Sequence, residues 1–439
     1  MNKCCTFSAL ASLILICMFV EPSTATTVYV GNCPNGNHPV TIQQAVNASS
    51  SGGTIDICPG TYPEQISIVG KNLNLIGIPN GTSDAAVVVP PAGGLVTTVN
   101  GVNETDIFGN LVAAQIFVQG ATVTISHLTI DGTGNGLSGC ATDIMGIYYQ
   151  NSAGKITDNA VRNQILIASD LGCQVGLAIN VESDTGAPAV TISYNSVRNY
   201  QKNGITASGP GTGGGPAVTV TSNTVIGIGA TTAIAQNGVQ IGYGATGTVK
   251  FNSVIDDIYT NPPCGGMSEP PCYGSSGILI YASAGVTVSN NTVESTQLGI
   301  VPATDPTYGN ANGTIIKSNH VGGTQTYDAI DLCSDGNMAQ SNVIYGSAES
   351  AVHVDDECPP STGSSNIVIS NNINEACAGI LLGSGTGNTT TPNTFLNVTN
   401  TTLAGDTCTP EPLGGVFGNA GGKSSEKHPS LRSSPYKKR

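Results

Sequence analysis

Two stretches concentrate side chains able to move protons or hold cations: YDAIDLCSDG from Tyr327 and AVHVDDEC from Ala351. Aligned on the small-apolar pairs Ala329-Ile330 and Ala351-Val352, they set Asp331 opposite His353. Asp355 then falls two positions farther along the same face, because side chains on a strand alternate with period two. Crowded carboxyls raise one another's pKa, which can make an acid and a base from one residue type. Asp331, His353 and Asp355 are therefore the candidate catalytic set, with Asp328 beside them as a substrate contact. Asp335, Asp356 and Glu357 lie within a few residues and offer the hard oxygens that Ca²⁺ takes, so calcium is the cofactor the sequence suggests. The plain alternative is an acidic surface facing solvent, with Cys333 and Cys358 fixing the local chain.

The elements that must position these groups are repeats. VSNNTVESTQLGIV from Val288 shows the unit: an apolar residue, two polar residues, Asn, one residue and an apolar residue, then a Gly-Ile or Ala-Val pair. The same skeleton reads ITDNAV, ISYNSV, VTSNTV, VKFNSV, IKSNHV, AQSNVI and VISNNI, giving an Asn column at 159, 195, 223, 252, 291, 319, 342 and 371. Spacings of 23 to 39 residues suit a supersecondary unit that cannot bury its apolar face without neighbours. Asn fits a left-handed bend, and its amide can bond to the copy on the next coil. The second strand of each coil is expected to begin at Gly146-Ile147, Gly176-Leu177, Gly204-Ile205, Gly238-Val239, Gly277-Ile278, Gly299-Ile300 and their successors. That register places Tyr148, Ala178, Thr206, Gln240, Leu279, Val301 and Leu381 in the column of Asp331 and His353, so the column is ionisable only there. Tyr148 and Gln240 join the substrate-contact set. Arg162 and Arg198 share one position in the VRN triplet after the Asn column; stacked guanidinium groups can grip a carboxylate or sulfate. Ion pairing with Asp158 or Asp170 competes with that use.

Composition bounds the setting. One Lys, an apolar run from Ala9 to Val20 and Ser23-Thr24-Ala25 read as a signal peptide over 1–25, so the mature protein is expected outside the cell. No second apolar run approaches the roughly 18 residues of a membrane span. Ten cysteines remain after Cys4, Cys5 and Cys17, in neighbouring couples: 33 with 58, 140 with 173, 264 with 272, 333 with 358 and 377 with 408. An even number in short loops predicts disulfides. The net charge is −14 although six of the fourteen basic residues crowd into the final stretch, so the body is more acidic still. That disfavours nucleic acid as a partner. Residues 420–439 have no apolar period and read as a disordered basic tail. The interval 26–419 reads as one domain.

Ile42, Ala45 and Val46 share one helical face in TIQQAVNA, which predicts a short helix capping the first coil, stopped by Gly52-Gly53. Gly/Pro-rich inserts at 209–216, 261–276 and 302–312 interrupt the period and are expected to wall one rim of the stack. The Asn-punctuated coils resemble the right-handed parallel β-helix repeats of the pectin-lyase-like superfamily, and TIQQAVNASSSGGTIDICPGTYPEQISI resembles the opening of its pectinesterase-like members, so the likeness spans Thr27 to Asn400. It implies an all-β fold, a right-handed parallel β-helix of about ten to thirteen coils with an N-terminal capping helix. For activity it implies less. The further motifs of pectinesterases, the Gly-His-Gly and Arg-Ile-Lys elements of polygalacturonases and the basic residue of pectate lyases are missing, and Glu64 in GTYPEQ reads as a capping-coil residue. The expected function is binding of an extended polysaccharide or cell-surface glycan by a monomer, with cleavage as a lyase or hydrolase if Asp331, His353 and Asp355 act. A non-catalytic surface or adhesion solenoid is the alternative.

Overall fold

The computed structural model describes residues 27–405 and 408, except 39, 82–83, 212–213, 261–273 and 324–326. The expected leader, the basic tail and the Cys264–Cys272 couple lie outside those residues.

Apolar residues at matching positions of every coil dictate the architecture. Ile125, Ile156, Ile192, Val220, Val249, Val288 and Ile316 face one another on successive strands of a thirteen-stranded sheet. Val161, Val197, Val225, Val254, Val293 and Val321 form a second column, and Ile147, Ile179, Ile205, Val239, Ile278, Ile300, Ile330, Val352 and Ile380 a third. All are 0% exposed, and burying each such side chain stabilises the fold by about 1.5–3 kcal/mol. Among the described strands pairing is parallel except for Gly36–His38 with Thr27–Cys33 and the two-stranded excursion Thr98–Val99 with Val102–Asn103, and two isolated bridges, Thr105 with Leu111 and Asp305 with Gly309, are also antiparallel.

The entrance glycines answer to close approach. A Cβ on Gly204 would sit 2.5 Å from Val225 Cγ1, and one on Gly238 would sit 2.2 Å from Val254 Cγ1, so the second apolar column occupies the space a side chain would need. The register departs from expectation in one coil. Ile147 pairs with Ile179, so Ala178-Ile179, not Gly176-Leu177, is the entrance pair, and Asn180 rather than Ala178 stands in the site column. Gly176 and Leu177 mimic the motif two residues early, whereas interior packing selects Ile179, fully buried between Ile147 and Ile205.

The Asn column forms one continuous ladder. Each Nδ2 donates to the Oδ1 of the next Asn at 2.9–3.1 Å from Asn159 through Asn371, and Asn393 receives the last bond at 3.0 Å. Each Oδ1 also accepts the backbone N–H of the preceding Asn, as Asn252 Oδ1 does from Asn223 N at 2.9 Å. The left-handed bend falls one residue earlier than expected: His127, Asp158, Tyr194, Ser222, Phe251, Asn290, Ser318, Ser341 and Ser370 have φ of 55–60°. The Asn is thereby turned inward, where its amide meets its neighbours. Asn252→Ala is expected to cost about 3 kcal/mol, since Asn223 N and Nδ2 lose their acceptor and the Val220 and Lys250 carbonyls lose their donor in a buried setting. Urea unfolding reads this, and an unchanged midpoint would remove the ladder from the account of stability.

The helix Ile42–Ala48 buries Ile42, Ala45 and Val46, as its pattern predicted, and Thr41 with Gln44 closes a capping box. Glu64 accepts the N–H groups of Ile42 and Gln43 at 2.9 and 3.0 Å, which makes it a helix-terminus residue. Four of the expected disulfides form, Cys33–Cys58, Cys140–Cys173, Cys333–Cys358 and Cys377–Cys408.

Candidate functional site

Asp331 pairs with His353 across adjacent strands, as the repeat alignment required. The column here runs Gln240, Leu279, Val301, then Asp331, His353 and Leu381, so ionisable groups interrupt an otherwise neutral stripe. The face is not open to solvent. Asp328, Asp331 and Asp355 are 3%, 3% and 6% exposed, and the His353 side chain is 14% exposed. Leu279, Tyr281, Val301, Ala303 and Tyr327 form an apolar cluster beside it with Tyr243 and the Cys333–Cys358 pair. Tyr308, from the insert at 302–312, packs on Tyr243 with ring centroids 4.9 Å apart, and Phe108 meets the same ring at 6.2 Å. The excursions thus meet over this side of the stack.

Asp328, assigned from sequence to substrate contact, is held within the cluster. Its Oδ2 is 3.3 Å from His353 Nδ1, while its Oδ1 accepts from the backbone and hydroxyl of Ser350. Asp331 Oδ1 is buried and has no hydrogen-bond partner. Asp355 accepts the Glu357 N–H at 2.8 Å. Its other oxygen lies 2.9 Å from Cys333 Sγ, a contact rather than a hydrogen bond, because the disulfide carries no proton. Burial, then the charge of Asp355, pushes Asp331 well above the usual carboxylate range. Burial pushes Asp355 up to about 6, against the attraction of His353. Burial alone would lower His353; the charges of Asp328, Asp355 and Asp331 outweigh it and hold the imidazole well above its ordinary value.

Of the acidic residues expected to hold calcium, Asp335 and Asp356 accept hydrogen bonds from loops. Asp335 Oδ1 accepts the backbone N–H groups of Thr362 and Ser364 at 3.0 and 2.8 Å, and Asp356 accepts from Ser384, so both pin loops between coils. Glu357 is exposed. Tyr148 and Gln240 are 0% exposed; Tyr148 donates to Glu182 at 2.7 Å, and Gln240 Oε1 accepts from Asn203 at 3.1 Å. Arg162 and Arg198 do stack on adjacent strands. Arg162 is paired with Asp131 at 2.8 Å and Asp84 at 2.9 Å, not with Asp158 or Asp170. A surface depression beside both arginines is lined by Asp84, Asp158 and the exposed Tyr194.

Sequence reasoning missed a second buried acidic nest. Glu104 and Glu182, 0% and 6% exposed, sit beneath the irregular stretch 98–110: Glu104 accepts from Ala114 N at 2.8 Å, and Glu182 from Ile107 N at 3.2 Å. Burial raises Glu104 to about 8; burial and the Asp106 charge raise Glu182 to about 7. The one available signal was that a Glu closes the Leu177 strand, opposite Gln150.

Residues 177–395 match the family described as the right handed beta helix region, and the described residues fold as a right-handed parallel β-helix. Among solved structures, the Dettilon tailspike protein matches at 16% identity and a TM-score of 0.54, over 86% of this chain and 68% of that one. The lacto-N-biosidase of Eubacterium ramulus matches at 11% identity and 0.53, over 84% and 68%. PfbA, a surface adhesin of Streptococcus pneumoniae, matches at 12% and 0.53, over 87% and 91%. At such identities the likeness is one of fold. No curated protein matches the sequence.

Proposed function

We propose that this chain is a secreted β-helix that binds an extended glycan as a monomer and acts on it at the Asp331–His353–Asp355 cluster. The observation that carries the reading is the ionisable patch itself, a buried carboxyl without a hydrogen-bond partner set beside a His and a second carboxyl in a column that is otherwise uncharged. Leaving such a group unpaired costs stability, and folds retain costs of this kind at working sites. Two carboxyls can divide general acid and general base roles at a glycosidic bond, and the partly exposed His353 gives the cluster its contact with solvent. The likeness of fold to a lacto-N-biosidase favours a saccharide over other ligands. Four disulfides, and the absence among described residues of any helix long and apolar enough to cross a membrane, fit an extracellular setting.

The test is a screen of the purified protein against neutral and uronic polysaccharides. New reducing ends or unsaturated products are expected from at least one of them. Saturable binding without product would make the chain a non-catalytic glycan-binding solenoid, and neither binding nor product across the panel would sink the reading.

A further inference from the structure

Three carboxyl side chains and a single imidazole share the buried patch. One ligand atom from each of Asp328, Asp331 and His353 lies within 4.8 Å of the others. Ligands in neighbouring positions at about 2.1 Å from one ion stand roughly 3.0–3.4 Å apart, and His353 Nδ1 and Asp328 Oδ2 are already separated by 3.3 Å. Two further observations point to a missing occupant. Asp331 Oδ1 is buried and bonded to nothing, although a buried polar group is ordinarily hydrogen-bonded or bound to metal. Ser350 holds Asp328 through the oxygen that does not face His353, the arrangement that orients a metal-binding carboxylate from behind.

We infer that Asp328, Asp331 and His353 form a binding site for a first-row divalent cation of the Zn²⁺ or Mn²⁺ kind, with water completing the coordination. An imidazole nitrogen with two carboxylates suits those ions. Calcium, which takes six to eight oxygens, is disfavoured by the nitrogen and by the small number of protein ligands. The site rests on the cluster named under Proposed function and assigns it an ion, but binding does not require that a glycan be cleaved.

Isothermal titration of the chelator-treated, full-length protein with ZnCl₂, MnCl₂ and CaCl₂ separately is the test, with Co²⁺ absorption as a second readout. One equivalent of Zn²⁺ or Mn²⁺ should bind, more tightly than Ca²⁺, and bound Co²⁺ should show visible bands. Asp331→Asn and His353→Gln should each weaken binding at least tenfold, while Asp184→Asn, on the exposed surface, should leave it unchanged. Asp331→Asn adds no bulk and breaks no hydrogen bond, so it decides the matter if His353→Gln does not fold. No saturable binding of either ion, tighter binding of calcium, or full affinity in Asp331→Asn would overturn the assignment. Metal binding without glycan turnover leaves this site standing and removes the catalytic reading; turnover untouched by chelation, with no metal bound, does the reverse.

Discussion

Asp331→Asn is expected to abolish turnover of the glycan substrate, by 10²-fold or more, and at the same time to raise the melting temperature in chelator-containing buffer. The loss follows from the size of general acid–base contributions, about 10²–10⁴-fold. The gain follows from what the carboxyl lacks. Its Oδ1 has no partner, and burial with the charges of Asp355, Asp328 and Glu357 outweighs the attraction of His353 and penalises its ionised form. An amide of the same shape carries no such penalty, a difference on the order of 1 kcal/mol, or about 1–2 °C in a chain of this size. Opposite signs in one variant separate a working residue from a structural one, since a structural carboxylate would lose stability on replacement. Product formation on an identified substrate and differential scanning calorimetry measure the two halves. Full turnover in Asp331→Asn would move the chemistry elsewhere, and a lowered melting temperature would mean that Asp331 is structural.

Stability should fall as pH rises from about 5 to 8.5. Glu104 and Glu182 have folded-state pKa values raised to about 8 and about 7 from 4.5, so between those values the native state holds protons that the unfolded chain has released. A raised group contributes its stability fully below the unfolded pKa and loses it as pH climbs through the folded one. Each tenfold difference in proton affinity between the folded and unfolded chain is worth about 1.4 kcal/mol, so the two together change stability by several kcal/mol. Asp355, at about 6, adds in the same direction. Asp131, held at about 2 by Asn163, Thr133 and Arg162 against burial, acts oppositely but only in strong acid, outside this window. Urea midpoints at pH 5, 7 and 8.5 check the slope, and Glu104→Gln should flatten it. A profile that rises with pH would contradict the protonated state of the nest under residues 98–110.

The fold was legible because the same buried positions recur coil after coil, so a register error in one coil could not spread. Where it did fail, at Gly176-Leu177, a decoy of the right chemistry lay two residues before the pair that packs inside. The ladder's last rung, Asn393, sits in TPNTFL, which lacks the small apolar company that marks the other rungs, and only the geometry of Asn371 finds it. The pairing of Asp331 with His353 came from strand register alone. Its burial did not, because the apolar cluster beside it is completed by residues such as Tyr308, from an insert that follows no period. For the same reason Asp328 was visible as a nearby carboxyl but not as the partner of His353, and Arg162 found Asp84 and Asp131 rather than the acids nearest in the chain.

The Asn ladder also makes the molecule a ruler graduated in whole coils. Each amide hands its bond to an identical amide about 4.8 Å farther along the axis, so any coil carrying the same Asn can follow any other, and adding or deleting one complete coil leaves every remaining rung satisfied. A fractional insertion would have to bulge outward. Length along the axis and the decoration of the rim are therefore free to vary independently of each other: a homologue with one coil more between Asn223 and Asn291 would reach one step farther along a ligand without altering the patch at Asp331.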